Sequence, residues 1–265
     1  MNAVNLFSMT VPLLRYVFVE GNIAAGKSTF ISNALEPFRG QCKARHDGAA
    51  DAVAVLEPVH EWTAVGGDPQ HNMLAAFYGD KRRWASTFQS HVLVTRVTAI
   101  NEAVVSWCLA REREGDARHA TDPNFVLYVL CERSTHTDRH VFVRALQEEG
   151  AMTPLEVAVY ESLWQFWNAR LHPGTVACVV HIATKTDDCA QQLASRSRAE
   201  EQGDGAVPRE YLLALERLHE SAISGTPETW SAAPRVRIAH GPFHTDADLV
   251  EGCVAKIAQS ACPSV

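Results

Sequence analysis

Basic residues are in short supply: 24 Lys and Arg stand against 31 Asp and Glu in 265 residues, a formal net charge of −7. A nucleic-acid polymer is held by a positive face that displaces counterions, so this balance argues against DNA or RNA as a partner. Cysteines at metal-binding or redox spacing are also missing. The seven fall at 42, 108, 131, 178, 189, 253 and 262, an odd number with no C-x-x-C, and several lie in apolar runs such as LYVLC and VACVV. A zinc framework or a disulfide scaffold is thereby disfavoured, and reduced thiols are expected. The twelve His show no H-E-x-x-H spacing. Residues 1–12 contain no Lys or Arg, so they read neither as a secretory leader nor as an Arg-rich transit peptide, but as a disordered lead-in. No apolar run approaches the length that crosses a bilayer, so no membrane partner is expected. These absences point to a cytoplasmic protein, with the nucleus left open, whose residues 13–265 form one domain.

What is present is a regular alternation. Hydrophobic residues make up 46% of the chain, enough for a substantial core at this length. Short, near-continuous apolar runs at 14–19, 52–56, 125–130, 176–183 and 236–239 read as strands covered on both faces. Helical stretches separate them, at about 26–36, 80–112, 138–149, 154–170, 187–197, 208–222 and 245–260, with loops at 38–50, 66–70, 114–124, 202–207 and 225–234. This order predicts an α/β fold, a doubly wound five-stranded parallel sheet surrounded by helices. Within 80–112, Leu93, Val97, Ile100, Val104 and Trp107 form one apolar stripe, either core or a helix-pairing seam. Gln89, Val92 and Arg96 share another face, which is either solvated or turned toward a ligand.

The strand LLRYVFVE runs into Gly21-Asn22-Ile23-Ala24-Ala25-Gly26-Lys27-Ser28-Thr29, a G-x-x-x-x-G-K-S loop opening a helix. Glycines at these places let backbone N–H groups of Ala24, Ala25 and their neighbours turn toward phosphate oxygens, reinforced by the helix N-terminus. Lys27 supplies charge to the β- and γ-phosphates, and the Ser28 hydroxyl suits Mg²⁺. A nucleoside triphosphate is the expected ligand. The second strand ends in Leu56-Glu57-Pro58, where a carboxylate faces the ligand crevice of a parallel sheet and would accept the proton of an attacking hydroxyl. The third ends in Cys131-Glu132-Arg133-Ser134, followed by Asp138, read either as metal and phosphoryl contacts or as a surface ion pair. Arg196-Ser197-Arg198, before a Gly-containing stretch, is either a lid over phosphates or plain surface.

Taken in order, GNIAAGKST, EPVHEW, FQSHVLVTR, CERSTHTDRHVF and RSRAEEQG resemble the deoxynucleoside kinases of the deoxycytidine, deoxyguanosine and mitochondrial thymidine kinase type, over about residues 15–222. The resemblance implies a P-loop kinase with a short Arg-rich lid at about 192–206. It implies transfer of the γ-phosphate of ATP, with Mg²⁺, to the 5′-hydroxyl of a deoxynucleoside in nucleotide salvage. It further implies Glu57 as base, Arg133 beside the hydroxyl and γ-phosphate, and Glu132 with Ser28 at the metal. Tyr78 and Glu201 would take the 3′-hydroxyl, Gln89 the base edge, and Trp62, Phe88 and Val92 the pocket walls. Arg196 and Arg198 would serve the lid. Arg96 and Asp138 suit deoxycytidine or a deoxypurine, while Val92 resembles a thymidine-type pocket. Gln192 stands where relatives often carry another lid Arg, and the stretch Ala239–Thr245 is atypical near the expected donor base. A homodimer is implied as well. Two rivals share parts of this pattern: a thymidylate-type monophosphate kinase, and a GTP-binding switch suggested by Thr184-Lys185-Thr186-Asp187.

Overall fold

A computed structural model describes residues 11–196, 198, 200, 207–225, 233–241, 243 and 245–262. Its centre is a five-stranded parallel sheet in the order β2-β3-β1-β4-β5, made of β1 (Leu13–Glu20), β2 (Ala50–Val55), β3 (Val126–Glu132), β4 (Gly174–Ala183) and β5 (Arg235–Ala239). Connections leave β1 for β2 on one side and, after β3, cross to β4 on the other. The carboxyl ends of β1 and β3 therefore open onto the crevice where ligands enter such sheets.

The two-residue period of the strands sorts the core into layers. From β1, Val17 and Val19 point to the face covered by α1 (Lys27–Arg45) and α11 (Ala247–Ala261). Leu14, Tyr16 and Phe18 point to the opposite face, covered by α4 (Lys81–Arg113) and α10 (Arg209–Ser224). A third cluster joins α4 to α2 (Val59–Thr63), α3 (Met73–Gly79) and α8 (Pro154–Asn168) through Trp62, Phe77, Phe88, Val92 and Tyr160. It roofs the crevice. The remaining helices are α5 (Arg118–Thr121), α6 (Thr135–Thr137), α7 (Arg144–Glu148) and α9 (Thr186–Arg196), with a π-helical segment at Asp138–Val143.

The structure departs from the expectations in several places. The first helix does not stop near residue 36. It runs through Pro37 to Arg45, because Phe38 and Cys42 are buried under the sheet and their packing outweighs one lost backbone hydrogen bond. The segments α2 and α3 were not foreseen, being too short to show a period. β2 begins two residues earlier than expected and leaves Leu56 exposed. The stripe Leu93–Trp107 is core, since all five members are buried. Contrary to the reading of apolar runs, α4 is long and apolar enough by length and composition to cross a membrane, although half of its most apolar window is buried inside the fold. All seven Cys are free and buried. Residues 1–10 of the expected lead-in 1–12 and most of the lid segment lie outside the described residues, whereas Val11 packs against the core and Pro12 is buried, so these two are not part of a disordered lead-in.

Candidate active site

A cavity of about 900 Å³ runs from the loop after β1, past the ends of β2 and β3, to the aromatic roof. The loop is built as its glycines allow. Gly21 has φ +148, and a Cβ there would lie 2.6 Å from the carbonyl oxygen of Ile182 on β4; Gly26 has φ +86 and caps α1. Ala24 takes a left-handed φ of 57 without being glycine. Of the nine loop residues, Ile23 through Thr29 line the cavity, whereas the side chain of Asn22 turns inward. Its Nδ2 donates to the carbonyl of Leu212 (2.9 Å), tying the loop to α10, while its own carbonyl accepts from Lys27 Nζ (2.9 Å). Lys27 is buried. Burial, with Arg133 nearby, pulls its ammonium down to about 8 against the pull of Glu132, Glu57 and Glu20.

Glu57 is the junction of the site. Its Oε1 lies 3.0 Å from Arg96 Nη2 and 3.0 Å from Arg133 Nε. Burial alone would raise this carboxyl, but Arg133, Arg96 and Lys27 outweigh it and hold the group at about 2. Arg96 reaches in from α4. It forks onto Asp138 with Nε (2.8 Å) and Nη2 (3.0 Å), and its Nη1 donates to the Glu132 carbonyl (2.8 Å). Both partners are buried, so the pair exists in full only inside the fold. Arg133 has a left-handed φ of 67 and donates its N–H to the Val19 carbonyl (3.0 Å), which turns its side chain across the end of β1. Ser28 Oγ donates to Glu132 Oε1 at 2.9 Å.

The roof holds the remaining expected residues. Trp62, Tyr78, Phe88, Gln89 and Val92 line the cavity. Phe88 stacks on Phe77 (4.6 Å, 21°) and meets Trp62 edge-on (5.8 Å). Trp62 is fixed by donating Nε1 to Thr95 Oγ1 (2.9 Å). Gln89 is buried, and its Oε1 has no hydrogen-bond partner among the described residues. The face of Gln89, Val92 and Arg96 is therefore not solvated. Arg196 and Arg198 also line the cavity, and Glu201 lies outside the described residues.

Several residues here were not foreseen. Phe142, Tyr211, His240 and Phe243 also line the cavity. Gln192 is not simply a missing Arg: its Nε2 meets His240 Nε2 at 2.7 Å, joining α9 to the loop after β5 beside Gly26. No local pattern marks such contacts, which join residues far apart in sequence. The Thr184–Asp187 stretch is absorbed structurally. Thr184 Oγ1 donates to the Ala25 carbonyl (3.1 Å), and Thr186 bonds to Glu216.

A triphosphate loop facing a carboxylate that is gripped by two arginines, under an aromatic roof, is suited to moving a phosphoryl group onto a small planar-ringed acceptor. The comparisons agree. Residues 17–257 match the family model described as "Deoxynucleoside kinase". The chain is 34% identical over 204 residues to human mitochondrial thymidine kinase 2, covering 77% of this chain and 62% of that protein, less than two thirds of its length. It is 30% identical over 222 residues to bovine deoxycytidine kinase (78% of this chain, 75% of the relative). To the probable deoxycytidine kinase of fowlpox virus it is 27% identical over 242 residues (91% and 86%). With the family model spanning nearly the whole described fold, the chain belongs to the deoxynucleoside kinase family.

Proposed function

We propose that this chain transfers the γ-phosphate of ATP to the 5′-hydroxyl of a deoxynucleoside, a step of nucleotide salvage. The position of Glu57 carries the reading. A hydroxyl has a proton to give and needs an acceptor, and Glu57 offers an ionised one at the cavity wall beside Arg133. A monophosphate acceptor would instead need uncommitted cations there, yet Arg96 and Arg133 are both engaged by Glu57. In the loose transition state of phosphoryl transfer the hydroxyl proton leaves late, so a carboxylate held at about 2 serves chiefly to orient the hydroxyl before taking its proton. Lys27 and Arg133 lie where charge gathers on the transferred group.

Mg²⁺ suits the hard-oxygen pair Ser28 and Glu132, which are one hydrogen bond apart beside the loop. It keeps several waters and leans on substrate phosphates, so two protein oxygens suffice. When bound, the ion would neutralise phosphate charge.

The relatives' names divide between thymidine and deoxycytidine kinase. Here the cavity presents Gln89, whose Oε1 has no partner among the described residues, and the Arg96–Asp138 pair. The Arg96–Asp138 pair favours deoxycytidine or a deoxypurine over thymidine, against Val92, which resembles a thymidine-type pocket, while the Gln89 amide can meet the edge of either pyrimidine. Turnover with ATP on the four natural deoxynucleosides, with dCMP and dTMP alongside, tests both points. Thymidine well ahead of the rest overturns the base assignment, and consumption of the monophosphates alone overturns the hydroxyl acceptor.

Lys27 gives a pH dependence with a definite sign. Its lowered value means that the free enzyme loses the ammonium above about pH 8, while a bound triphosphate holds it protonated. Donor binding then takes up a proton, and the Kd for ATP, flat below about pH 7, weakens by up to about tenfold per unit above pH 8. Calorimetric titration between pH 6.5 and 9.5 reads this directly, and a flat Kd would remove Lys27 from the phosphates.

We also propose a homodimer. Helix α8 exposes Leu155 (74%), Val159 (51%) and Phe166 (48%), which fall on one helical face. Light scattering should give twice the 29.1 kDa chain mass, reverting to one chain for Leu155→Glu with Phe166→Glu. A wild-type monomer refutes it.

A further inference from the structure

His219 lies behind the site, on α10, and none of the roles above uses it. It is buried to 1% exposure. Its Nδ1 is 2.7 Å from the carbonyl of Leu215, and its Nε2 is 3.3 Å from Arg133 Nη1. A carbonyl only accepts, so the ring proton sits on Nδ1. A guanidinium only donates, so Nε2 must present its lone pair to Arg133. The two contacts together select one neutral tautomer. Burial, with Arg133 adding to it, pushes the imidazole well below its ordinary value, which keeps it in that form. The ring plane is fixed by Phe142, edge-on at 6.2 Å, and by His181, stacked at 6.4 Å. The same Nη1 donates to the Gly21 carbonyl at 2.6 Å, while Nε is on Glu57. Nη2 also donates to the Asn22 carbonyl at 3.4 Å, so Arg133 is held at each of its three nitrogens, in a backbone conformation that a non-glycine residue rarely keeps unless its surroundings enforce it.

We propose that His219 is a positioning residue that acts through Arg133. As a neutral acceptor it draws Nη1 back to the root of the phosphate loop, so that the guanidinium meets the reacting hydroxyl and phosphoryl group in one fixed orientation. This rests on the kinase reading, in which Arg133 serves the transferred group.

Asparagine and glutamine separate the two ring nitrogens. His219→Asn can keep the bond to Leu215 but puts no acceptor at Arg133, whereas His219→Gln can restore an acceptor near the Nε2 position. His219→Asn should lower kcat by about 10- to 100-fold, the scale of one hydrogen bond to a charged group, with KM for ATP and for the nucleoside within about twofold of wild type. His219→Gln should recover most of that kcat. In an Arg133→Lys background His219→Asn should cost little more, because the partner is already gone. Three results overturn the inference: an Asn variant with wild-type kcat, a Gln variant as impaired as Asn at unchanged Tm, or an equal Asn effect with and without Arg133. Should the Asn variant fail to fold, the Gln variant and its cycle with Arg133→Lys decide alone. A wild-type chain inactive on every deoxynucleoside overturns the kinase reading and this inference with it; an active wild type leaves the variants to test His219 by itself.

Discussion

Glu57→Gln should lower kcat by about 10²- to 10⁴-fold while the Kd for ATP stays within about twofold. The amide keeps the shape of the side chain and can still accept from Arg96 and Arg133, but it cannot take a proton from the attacking hydroxyl. The pH behaviour follows from the same group. The folded carboxyl sits at about 2, below its ordinary 4.5. Its ionised form therefore stabilises the fold fully above about pH 4.5, and that contribution is lost as pH falls toward 2. Through the neutral range Glu57 stays ionised, and any acid limb of kcat above about pH 5 must come from another group. Steady-state kinetics of the variant, with calorimetry of ATP binding, decide the matter. Near-normal kcat would show that the hydroxyl needs no proton-accepting carboxylate at this position.

Asp138→Ala should be the most damaging single change to stability among the site residues. Arg96 and Asp138 are both buried and bonded through two nitrogens, and removing the carboxylate leaves a buried guanidinium with Glu57 as its remaining carboxylate partner. Breaking a buried pair from one side costs about 3–5 kcal/mol, which for a chain of this size lowers Tm on the order of 10 °C. Asp138→Asn keeps an acceptor and should cost less. Thermal denaturation of both variants measures the effect, and a fall below about 2 °C for Ala would mean that water or a backbone group replaces the carboxylate. Weaker binding of the preferred nucleoside should accompany the loss, because Arg96 and Asp138 both line the cavity in which the proposed acceptor would sit.

How much of this was legible in the sequence depended on how locally each feature is encoded. The phosphate loop is nine consecutive residues with fixed requirements, and it lies where the sequence places it, between a strand and a helix. The inner strands were legible because strands buried on both faces must be apolar throughout, whereas the edge strand β5, RVRIA, alternates exposed and buried residues and is covered on one face only. The end of α1 was misplaced because Pro37 is a local signal, while the packing of Phe38 and Cys42 that overrides it is not. Glu57, Glu132 and Arg133 were legible as strand-end charges, but their partnership was not. Glu57 meets Arg96 across 39 residues, and Gln192 meets His240 across 48. His219 contacts Arg133 across 86 residues from an apolar helix face, where the sequence offers only one His among twelve.

By itself the sequence determined the chemistry available: a loop that binds a triphosphate, a carboxylate and an arginine at strand ends, and a helix with a mixed polar face. Each of these follows from neighbours within a few residues, where backbone geometry and side-chain period leave little freedom. Only the tertiary structure decided how they act together. Strand order β2-β3-β1-β4-β5 sets the ends of β1, β2 and β3 along one crevice, and the crossing of α4 drives Arg96 between Glu57 and Asp138. Charges so placed hold Glu57 ionised, because burial magnifies interactions that water would otherwise screen, while burial itself brings Lys27 down to about 8.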